Sequence, residues 1–293
     1  MTKEKLVAGA SGIIAFFPVL LTAAIFLAIL LKAWPLISLK SLPELIFSSA
    51  WQPQKGEFGL WPFLLSTLWV TAVAFILALP VSVLTSLYLA EYAPAGVKKI
   101  ILPAVDLLAG LPSVIYGMWG VLMVVPFVGR FLAPLAGCPS SGYSVLTAGL
   151  VLAVMILPTM VNISAEVISS VPASLKEAAL SLGATRFEVV KHVILKKARP
   201  GLLAAGVLGL ARAFGETIAV LMVVGNVPEI PRSLFSPAYP IPALLANNYG
   251  EMLSIPGYEA ALNLAALILL FVVMAFSLLA RLYLSRLVRR SGQ

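Results

Sequence analysis

Residues Pro172–Pro200 read PASLKEAALSLGATRFEVVKHVILKKARP, and they differ in character from the rest of the chain. The 293-residue chain is 61% hydrophobic and only 11% charged, whereas this segment holds eight charged side chains. Its six basic residues are Lys176, Arg186, Lys191, Lys196, Lys197 and Arg199. A charged amphipathic segment between long apolar runs predicts a surface that faces water rather than lipid.

Helix-end signals divide this segment into two parts. Ser174 and Glu177 have the spacing of a capping box, and so do Thr185 and Glu188. Gly183 lies between them, where a left-handed residue can end the first helix. The segment therefore predicts two short helices that meet at a glycine corner. From periodicity alone, an amphipathic hairpin lying on lipid remains an equal alternative.

The composition of the whole chain predicts a polytopic membrane protein. Its mean hydropathy of +1.04 is far above that of soluble domains. The net charge of +8 resides mainly in short connections and tails, which is typical of membrane orientation rather than nucleic-acid binding. The single cysteine, Cys138, excludes a disulfide within the chain. We expect one all-α transmembrane domain over residues 1–293.

Six apolar runs are long enough to span a bilayer. They cover about 9–31, 61–89, 100–128, 144–168, 201–224 and 258–284. Fourteen of the twenty Lys and Arg residues fall on the side of the two termini and the 172–200 segment, five on the other side, and Arg212 within a span. By the positive-inside rule, both termini and the segment are expected in the cytoplasm.

Common catalytic motifs are absent from the sequence. It contains no Gly-Lys dipeptide and hence no Walker phosphate loop for ATP hydrolysis. Its one histidine, His192, cannot form a zinc-protease motif. We therefore expect no catalytic residue, metal site or cofactor in this chain, and a transport role whose energy comes from elsewhere.

One motif in the 172–200 segment resembles the EAA motif of ABC-importer permeases. It consists of Glu177-Ala-Ala179, then Gly183, then Val193-Ile-Leu195. The resemblance implies that the segment is a coupling loop docking into an ATPase subunit. The contacting residues would be Glu177, Ala178, Ala179, Gly183 and Leu195. The family pattern ends in Leu-Pro, whereas Lys196 follows Leu195 here.

Two further stretches resemble phosphate-specific permeases of the PstC type, which have a type-I, MetI-like fold. They are LGLARAFGETIAVLMVVGN at 208–226 and AGLPSVIYGMWG at 109–120. The resemblance implies a cell-membrane subunit that pairs with a PstA-like sister permease. It also implies two PstB-like ATPase subunits, which carry ATP and Mg, and an extracytoplasmic phosphate-binding protein.

Arg212 is the candidate substrate contact. It lies about eleven residues into the predicted fifth span, roughly 17 Å deep, where a cation is costly unless it faces the protein interior or water. Glu216, four residues on, would share its helix face. The pair either fixes packing as a salt bridge or, as the resemblance implies, serves transport, with Arg212 meeting phosphate. The resemblance places Thr217 on the same path.

Pro112 is expected to interrupt the third span beside Ser113. Backbone N–H groups freed by a broken helix are used by transporters to bind anions. A simple kink with tight glycine packing at Gly110, Gly117 and Gly120 is at least as good an interpretation. Asp106, which would repel an anion, is expected to form hydrogen bonds or act in gating.

The function predicted from these features is that of a permease subunit of an ATP-driven phosphate importer. Two alternatives remain open at this point. One is a permease for another oxyanion, such as molybdate or sulfate. The other is an ATP-independent anion channel or carrier.

Overall fold

The computed structural model describes residues 2–251 and 254–291, with side chains from 16 to 251 and from 254 to 286. The side chains of Lys3, Lys5, Arg289 and Arg290, which entered the charge count, lie outside the described residues. The chain divides into two compact units. Unit 1 is Met1–Trp61 with Asn247–Phe271, and unit 2 is Pro62–Ala246 with Val272–Gln293.

Unit 1 contains three helical pieces and a small hairpin. They are α1 (Thr2–Leu39), α2 (Leu42–Phe47), β1 (Trp51–Gln52), β2 (Glu57–Phe58) and the first part of α14 (Tyr258–Ser291). The antiparallel strands pair Trp51 with Phe58, and Gly56 turns between them at φ +72°. The ring of Tyr258 lies 5.9 Å from that of Trp51 and 6.3 Å from that of Phe58. An aromatic cluster thus anchors the hairpin to α14.

Unit 2 is helical. Its helices are α3 (Trp61–Leu87), which starts at the boundary, α4 (Ala95–Gly110), α5 (Ser113–Trp119), α6 (Val125–Phe127), α7 (Ala133–Leu135), α8 (Val145–Ser169), α9 (Ala173–Ser181), α10 (Arg186–Glu188), α11 (Leu195–Gly215), α12 (Ile218–Val223), α13 (Ile241–Asn248) and the rest of α14. Single π-helical turns at Tyr88–Tyr92, Gly120–Val124, Val128–Leu132 and Val189–Ile194 continue their helices without a break.

The expectation of an all-helical polytopic membrane protein is confirmed. Among the described residues, five continuous helices are long and apolar enough to cross a bilayer. They are Phe16–Leu39, Trp61–Tyr92, Ser113–Leu135, Val145–Ser169 and Tyr258–Arg286. The predicted first span, 9–31, lies within α1, which continues unbroken to Leu39.

The other two predicted spans are not single helices. The run 100–128 straddles a break, because Pro112 forces Leu111 into an extended conformation and the spanning helix starts at Ser113. The run 201–224 is also divided, since α11 ends at Gly215 and α12 starts at Ile218. The predicted span 201–224 is therefore an interrupted helix, which a hydropathy plot does not distinguish from a continuous one, and the total of six spans stays a prediction.

Helix α8 forms the centre of unit 2. It packs against α4, α11 and α12, and most of its side chains are buried. Glycines let the neighbouring helices approach: a Cβ added at Gly149 would lie 2.4 Å from Val73, and one added at Gly209 would lie 2.5 Å from Met160. Small residues at helix contacts are the usual means of close packing in membranes. This rigid centre positions the broken helices around it.

Candidate functional site

The two broken helices of unit 2 lie side by side. A Cβ added at Gly117 would lie 3.2 Å from the Cα of Ala219, and one added at Gly120 would lie 2.8 Å from the Val223 side chain. These contacts advance in the same direction along both helices, so α5 and α12 run parallel. Their N-terminal ends, each just after a break, therefore point in the same direction, with the start of α12 about one turn further along than that of α5. Of the three glycines expected to pack tightly, Gly110 meets only open space.

The first break is stabilised by a side chain that the sequence did not single out. The hydroxyl of Tyr116, on α5, donates a hydrogen bond of 2.6 Å to the carbonyl of Leu108, in the last turns of α4. This bond gives a second donor to a carbonyl that already accepts the N–H of Leu111 at the end of α4, and it ties α5 to α4 across the break. Ser113, half-buried, is the first residue of the helix that follows.

The second break separates Arg212 from Glu216. Glu216 has an extended backbone (φ −75°, ψ 128°), so it is not on the same helix face as Arg212, and that prediction was wrong. Its carboxylate instead accepts a 3.2 Å hydrogen bond from the N–H of Ala219, in the first turn of α12. Thr217, next to it, donates its hydroxyl to the Gly215 carbonyl at 3.3 Å. Both polar side chains thus stabilise the break itself.

Arg212 is held by α8 rather than by an acid. Its Nη1 donates a hydrogen bond to the hydroxyl of Thr159, and the side chain is half-buried. Within the described part of the chain it forms no ion pair, so the expected salt bridge with Glu216 is absent from this structure. Its place in the last turn of α11 is favourable, because the helix dipole is negative there.

A second polar contact lies one turn away on α8. The amide of Asn162 donates a 2.7 Å hydrogen bond to the carboxylate of Asp106, on α4. Asn162 follows Thr159 by three residues, so the two side chains lie on the same face of α8. One polar stripe of α8 thus contacts both α4 and α11. Asp106 forms a hydrogen bond, as expected, while its part in gating stays a prediction.

The 172–200 segment forms the first predicted short helix with a shifted start, whereas the second, from Arg186, is not short, because it continues through the π-helical turn into α11. Helix α9 begins at Ala173 after Pro172 and has no side-chain cap, so Ser174 lies inside the first turn and the first predicted capping box is wrong. Proline sets an extended backbone at the residue that precedes the helix, and so it determines the start. The left-handed stop is confirmed, with φ +85° at Gly183 and open space around it.

The second capping box is confirmed. The N–H and the hydroxyl of Thr185 each donate a 2.8 Å hydrogen bond to the Glu188 carboxylate. The N–H of Glu188 donates back to the Thr185 hydroxyl at 3.3 Å. These hydrogen bonds hold the pKa of Glu188 below its usual range, the largest contribution being the backbone bond from Thr185. The glycine corner is thus followed by a well-defined helix start.

The segment has an inner and an outer surface. Val189, Val190 and Ile194 are buried, and they pack against Ile168 and Ala198 of the helices on either side. The outer surface carries apolar side chains that nothing in unit 2 covers: Leu182 is 90% exposed and Phe187 is 66% exposed. Apolar residues so exposed on a charged segment are suited to contact another protein or the membrane surface.

The residues predicted to contact an ATPase divide between these surfaces. Glu177, Ala178 and Gly183 are exposed, and Ala179 is half-buried beside the corner. Leu195 is half-buried and packs on the inner cluster at the start of α11. The structure thus brings four of the five together at the corner and places the fifth at the exit of the segment.

An ion pair joins the segment to the end of a spanning helix. Lys176, on α9, forms a salt bridge with Glu91, in the π-helical turn that ends the Trp61–Tyr92 helix. The two residues are 85 positions apart, and both side chains are mostly buried. No local sequence signal indicates this contact. A displacement of α9 would be transmitted to the spanning helix through it.

Comparisons with known proteins agree with this geometry. Residues 82–292 match the family described as "Binding-protein-dependent transport system inner membrane component". The phosphate transport system permease protein PstC of Xylella fastidiosa strain Temecula1 is 36% identical over 300 residues, covering 94% of this chain and 92% of that protein. The PstC protein of Haemophilus influenzae is 34% identical, covering 99% and 96%.

A solved structure has the same fold. The MetNI methionine ABC transporter, in an inward-facing conformation, superposes with a TM-score of 0.55 at 21% sequence identity, covering 78% of this chain and 94% of the matched chain. A probable ABC transporter permease protein of Bacillus subtilis, YqgH, is 37% identical over 245 residues. Such helical folds, built around an interrupted helix, are typical of transport proteins.

Proposed function

This chain belongs to the family of binding-protein-dependent transport system inner membrane components, and on that premise we propose that it is the PstC-type permease subunit of an ATP-driven phosphate importer. It is a multi-pass membrane protein with a helical permease fold. Support for phosphate as the substrate comes from relatives that bear the name of phosphate transport permeases and align with nearly the whole chain.

The observation that carries the substrate assignment is the state of Arg212. A half-buried guanidinium within the membrane, without an acidic partner among the described residues, is costly to maintain. Its planar set of donors matches the oxygens of a phosphate. One donor is occupied by Thr159, which fixes the direction of the side chain and leaves other N–H groups for a passing anion.

The neighbouring breaks complete the proposed pathway. Ser113 begins the 23-residue helix Ser113–Leu135, whose first N–H groups and positive dipole end favour an anion. Glu216 and Thr217 keep the second helix interrupted through their hydrogen bonds. We assign Glu216 this structural task rather than the neutralisation of Arg212, because its carboxylate is used at the start of α12.

The 172–200 segment is the proposed coupling loop. Exposed Glu177, Ala178 and Gly183, with Leu182 and Phe187 beside them, form the surface on which an ATPase subunit would dock. The other proposed partners are a PstA-like sister permease, a second PstB-like ATPase subunit and a phosphate-binding protein on the opposite face. ATP and Mg would reside on the ATPase subunits, with no cofactor in this chain and both termini in the cytoplasm.

Uptake of labelled phosphate tests this proposal. The chain is expressed with its proposed partners in cells that lack their own phosphate importers. Uptake should require ATP and an intact ATPase subunit, and excess unlabelled phosphate should compete where sulfate and molybdate do not. Competition by either of those anions would indicate another oxyanion permease. Flux that persists without the ATPase subunit would indicate a channel or carrier.

A further inference from the structure

An apolar groove runs between α11 and the second part of α14. The rings of Phe214 and Phe276 meet at 5.2 Å at one end of it. The cavity between the helices has a volume of about 250 Å³, and its walls are almost entirely apolar. Side chains from both helices line this α11–α14 groove, among them Val207, Leu210, Phe214, Phe276, Leu279 and Ala280.

The groove is open along its side. Phe276 is 44% exposed and Leu279 is 64% exposed, so large apolar side chains at its edge have no cover within unit 2. Val207 and Phe214 are two helical turns apart, which corresponds to a length of about 10 Å. The groove therefore has the shape of a slot that accepts a flexible apolar chain lying parallel to the helices.

The far end of the groove is strongly basic. Arg199, at the start of α11, reaches across to α14, where its Nη2 donates to the Tyr283 hydroxyl at 3.5 Å. Lys196 precedes Val207 by eleven residues, which is three helical turns, so it continues the line of groove residues on α11. Arg281 follows Ser277, another lining residue, by four positions on α14. Helical periodicity thus places these three cations on the groove side of their helices, toward the end of the apolar slot.

Within the described residues, neither helix of the groove places an acid beside these cations. Helix α11 contains no Asp or Glu, and the only acid in α14 is Glu259, in its first turn at the opposite end. Among the described contacts, the only one made by the three cations is that of Arg199 with Tyr283. Lys196, which stands where the EAA pattern has a proline after Leu195, is one of these cations. A lysine at this position thus adds a positive charge near the groove.

We propose that the α11–α14 groove binds one anionic phospholipid, with an acyl chain in the slot and the headgroup phosphate at Arg199, Lys196 and Arg281. Basic pockets between membrane helices are suited to anionic headgroups, and the apolar slot supplies the matching site for the tail. A helix of another protein would need acidic residues at the basic end of the groove. An anionic phospholipid needs no such match, because its phosphate is covalently linked to the acyl chain that would fill the slot. The site is separate from the substrate pathway and does not depend on which anion is transported.

Lipid retention tests this site. The complex purified through a tag on the full-length chain is titrated with phosphatidylglycerol or with zwitterionic phosphatidylcholine, and bound lipid is counted by native mass spectrometry. One phosphatidylglycerol per chain should be retained in preference to phosphatidylcholine. Lys196→Gln with Arg281→Gln should weaken retention about 25-fold, since each cation near an anionic headgroup contributes about a factor of five.

Two matched controls separate a built site from general attraction. Lys98→Gln with Lys99→Gln removes two cations at the start of α4 and should leave retention unchanged.

Ala280→Phe fills the slot and should abolish retention without changing charge, whereas Leu278→Phe, on a face of α14 outside the groove, should not. Equal retention of both lipids, or equal losses in test and control variants, would overturn the proposal. So would photocrosslinking from position 279 to another protein chain instead of lipid.

Discussion

The Arg212 site and the coupling loop use opposite residue types in opposite surroundings. Around Arg212 the helices are apolar, and the exceptional residue is a half-buried cation without an acidic partner among the described residues. In the 172–200 segment the surroundings are charged, and the exceptional residues are apolar, above all Leu182 with 90% of its surface exposed. In both places a side chain resides in the environment that disfavours it.

This difference indicates which partner each region is proposed to bind. A cation in the membrane and an apolar side chain in water both carry an unfavourable free energy in this isolated chain. A phosphate could relieve the first and a docked ATPase subunit the second. Two of the loop charges, by contrast, have partners within the chain: Glu188 caps α10 through Thr185, and Lys176 pairs with Glu91, so these two shape the loop.

The largest effect is expected from Arg212→Gln. Removing a charge that contacts the substrate typically costs several kcal/mol, so phosphate uptake should fall by about 100-fold or more. The chain should still insert and assemble, because the substitution also removes the cost of a cation in the membrane. Uptake into vesicles and co-purification of the ATPase subunit measure the two properties separately.

Arg232→Gln is the matched control for this variant. Arg232 is an exposed cation in a connection of unit 2, and its loss should leave uptake unchanged. Arg212→Lys should give an intermediate rate, because lysine keeps the charge and loses the planar set of donors. If Arg212→Gln transported phosphate at the wild-type rate, the assignment of Arg212 to the pathway would be wrong.

The next largest effect is expected from Leu182→Glu in the coupling loop. An apolar anchor at the centre of an interface contributes about 2 kcal/mol, so the ATPase subunit should bind about 30-fold more weakly. The fold of the permease should be unaffected, since Leu182 is already exposed. Binding of the purified ATPase subunit to the permease in nanodiscs measures the change.

Leu135→Glu provides the control for exposure alone. Leu135 is 86% exposed at the end of a spanning helix, outside the loop. The two variants change the same residue type to the same acid at similar exposure. Should both weaken ATPase binding equally, the loss would reflect the added charge and not the docking surface.

The sequence predicted those features of both regions that depend on neighbouring residues. Gly183 ends a helix because a glycine accepts a positive φ, and Thr185 caps the next helix because Glu188 is three residues away. Pro112 was expected to break its helix, and it does so. Each signal acts within one turn of helix, so it can be identified without knowledge of the tertiary structure.

The remaining features depend on contacts between distant residues. Arg212 lies 53 positions from Thr159, and Lys176 lies 85 positions from Glu91, so a single sequence does not indicate either contact. The break at Glu216 was missed because no proline marks it. It depends on a carboxylate that caps α12, and a regular helical spacing therefore suggested an ion pair that the structure does not form.

A smaller effect is expected from the ion pair that joins the loop to the spanning helix. A partly exposed pair contributes up to about 1 kcal/mol, so Glu91→Gln should reduce ATP-driven transport by up to about fivefold. ATPase binding should not change, because Glu91 is not on the exposed corner. The ratio of phosphate transported to ATP hydrolysed is the informative measurement.

The charge reversal sharpens this test. Lys176→Glu combined with Glu91→Lys should recover much of the transport that either single variant loses, since the pair is restored with opposite polarity. A double variant no better than the single variants would mean that the pair does not connect the loop to the helix mechanically. The residues would then act separately at the membrane surface.

The smallest effect is expected from acidification of the loop. The hydrogen bonds from Thr185 lower the pKa of Glu188, so the carboxylate form stabilises the folded loop. That contribution is fully present above the ordinary glutamate pKa of about 4.3 and is lost as the pH falls through the lower, folded-state pKa. After correction for the intrinsic pH dependence of amide exchange, the protection of the amides at the start of α10 should therefore be constant near neutral pH and should fall only in acid. Thr185→Ala should remove the acid dependence and raise exchange at all pH values, whereas Thr185→Ser, which keeps the hydroxyl, should behave as the wild type. A change in this protection between pH 6 and 8 would contradict the assignment to Glu188, and the charges of the loop would then do more than shape it.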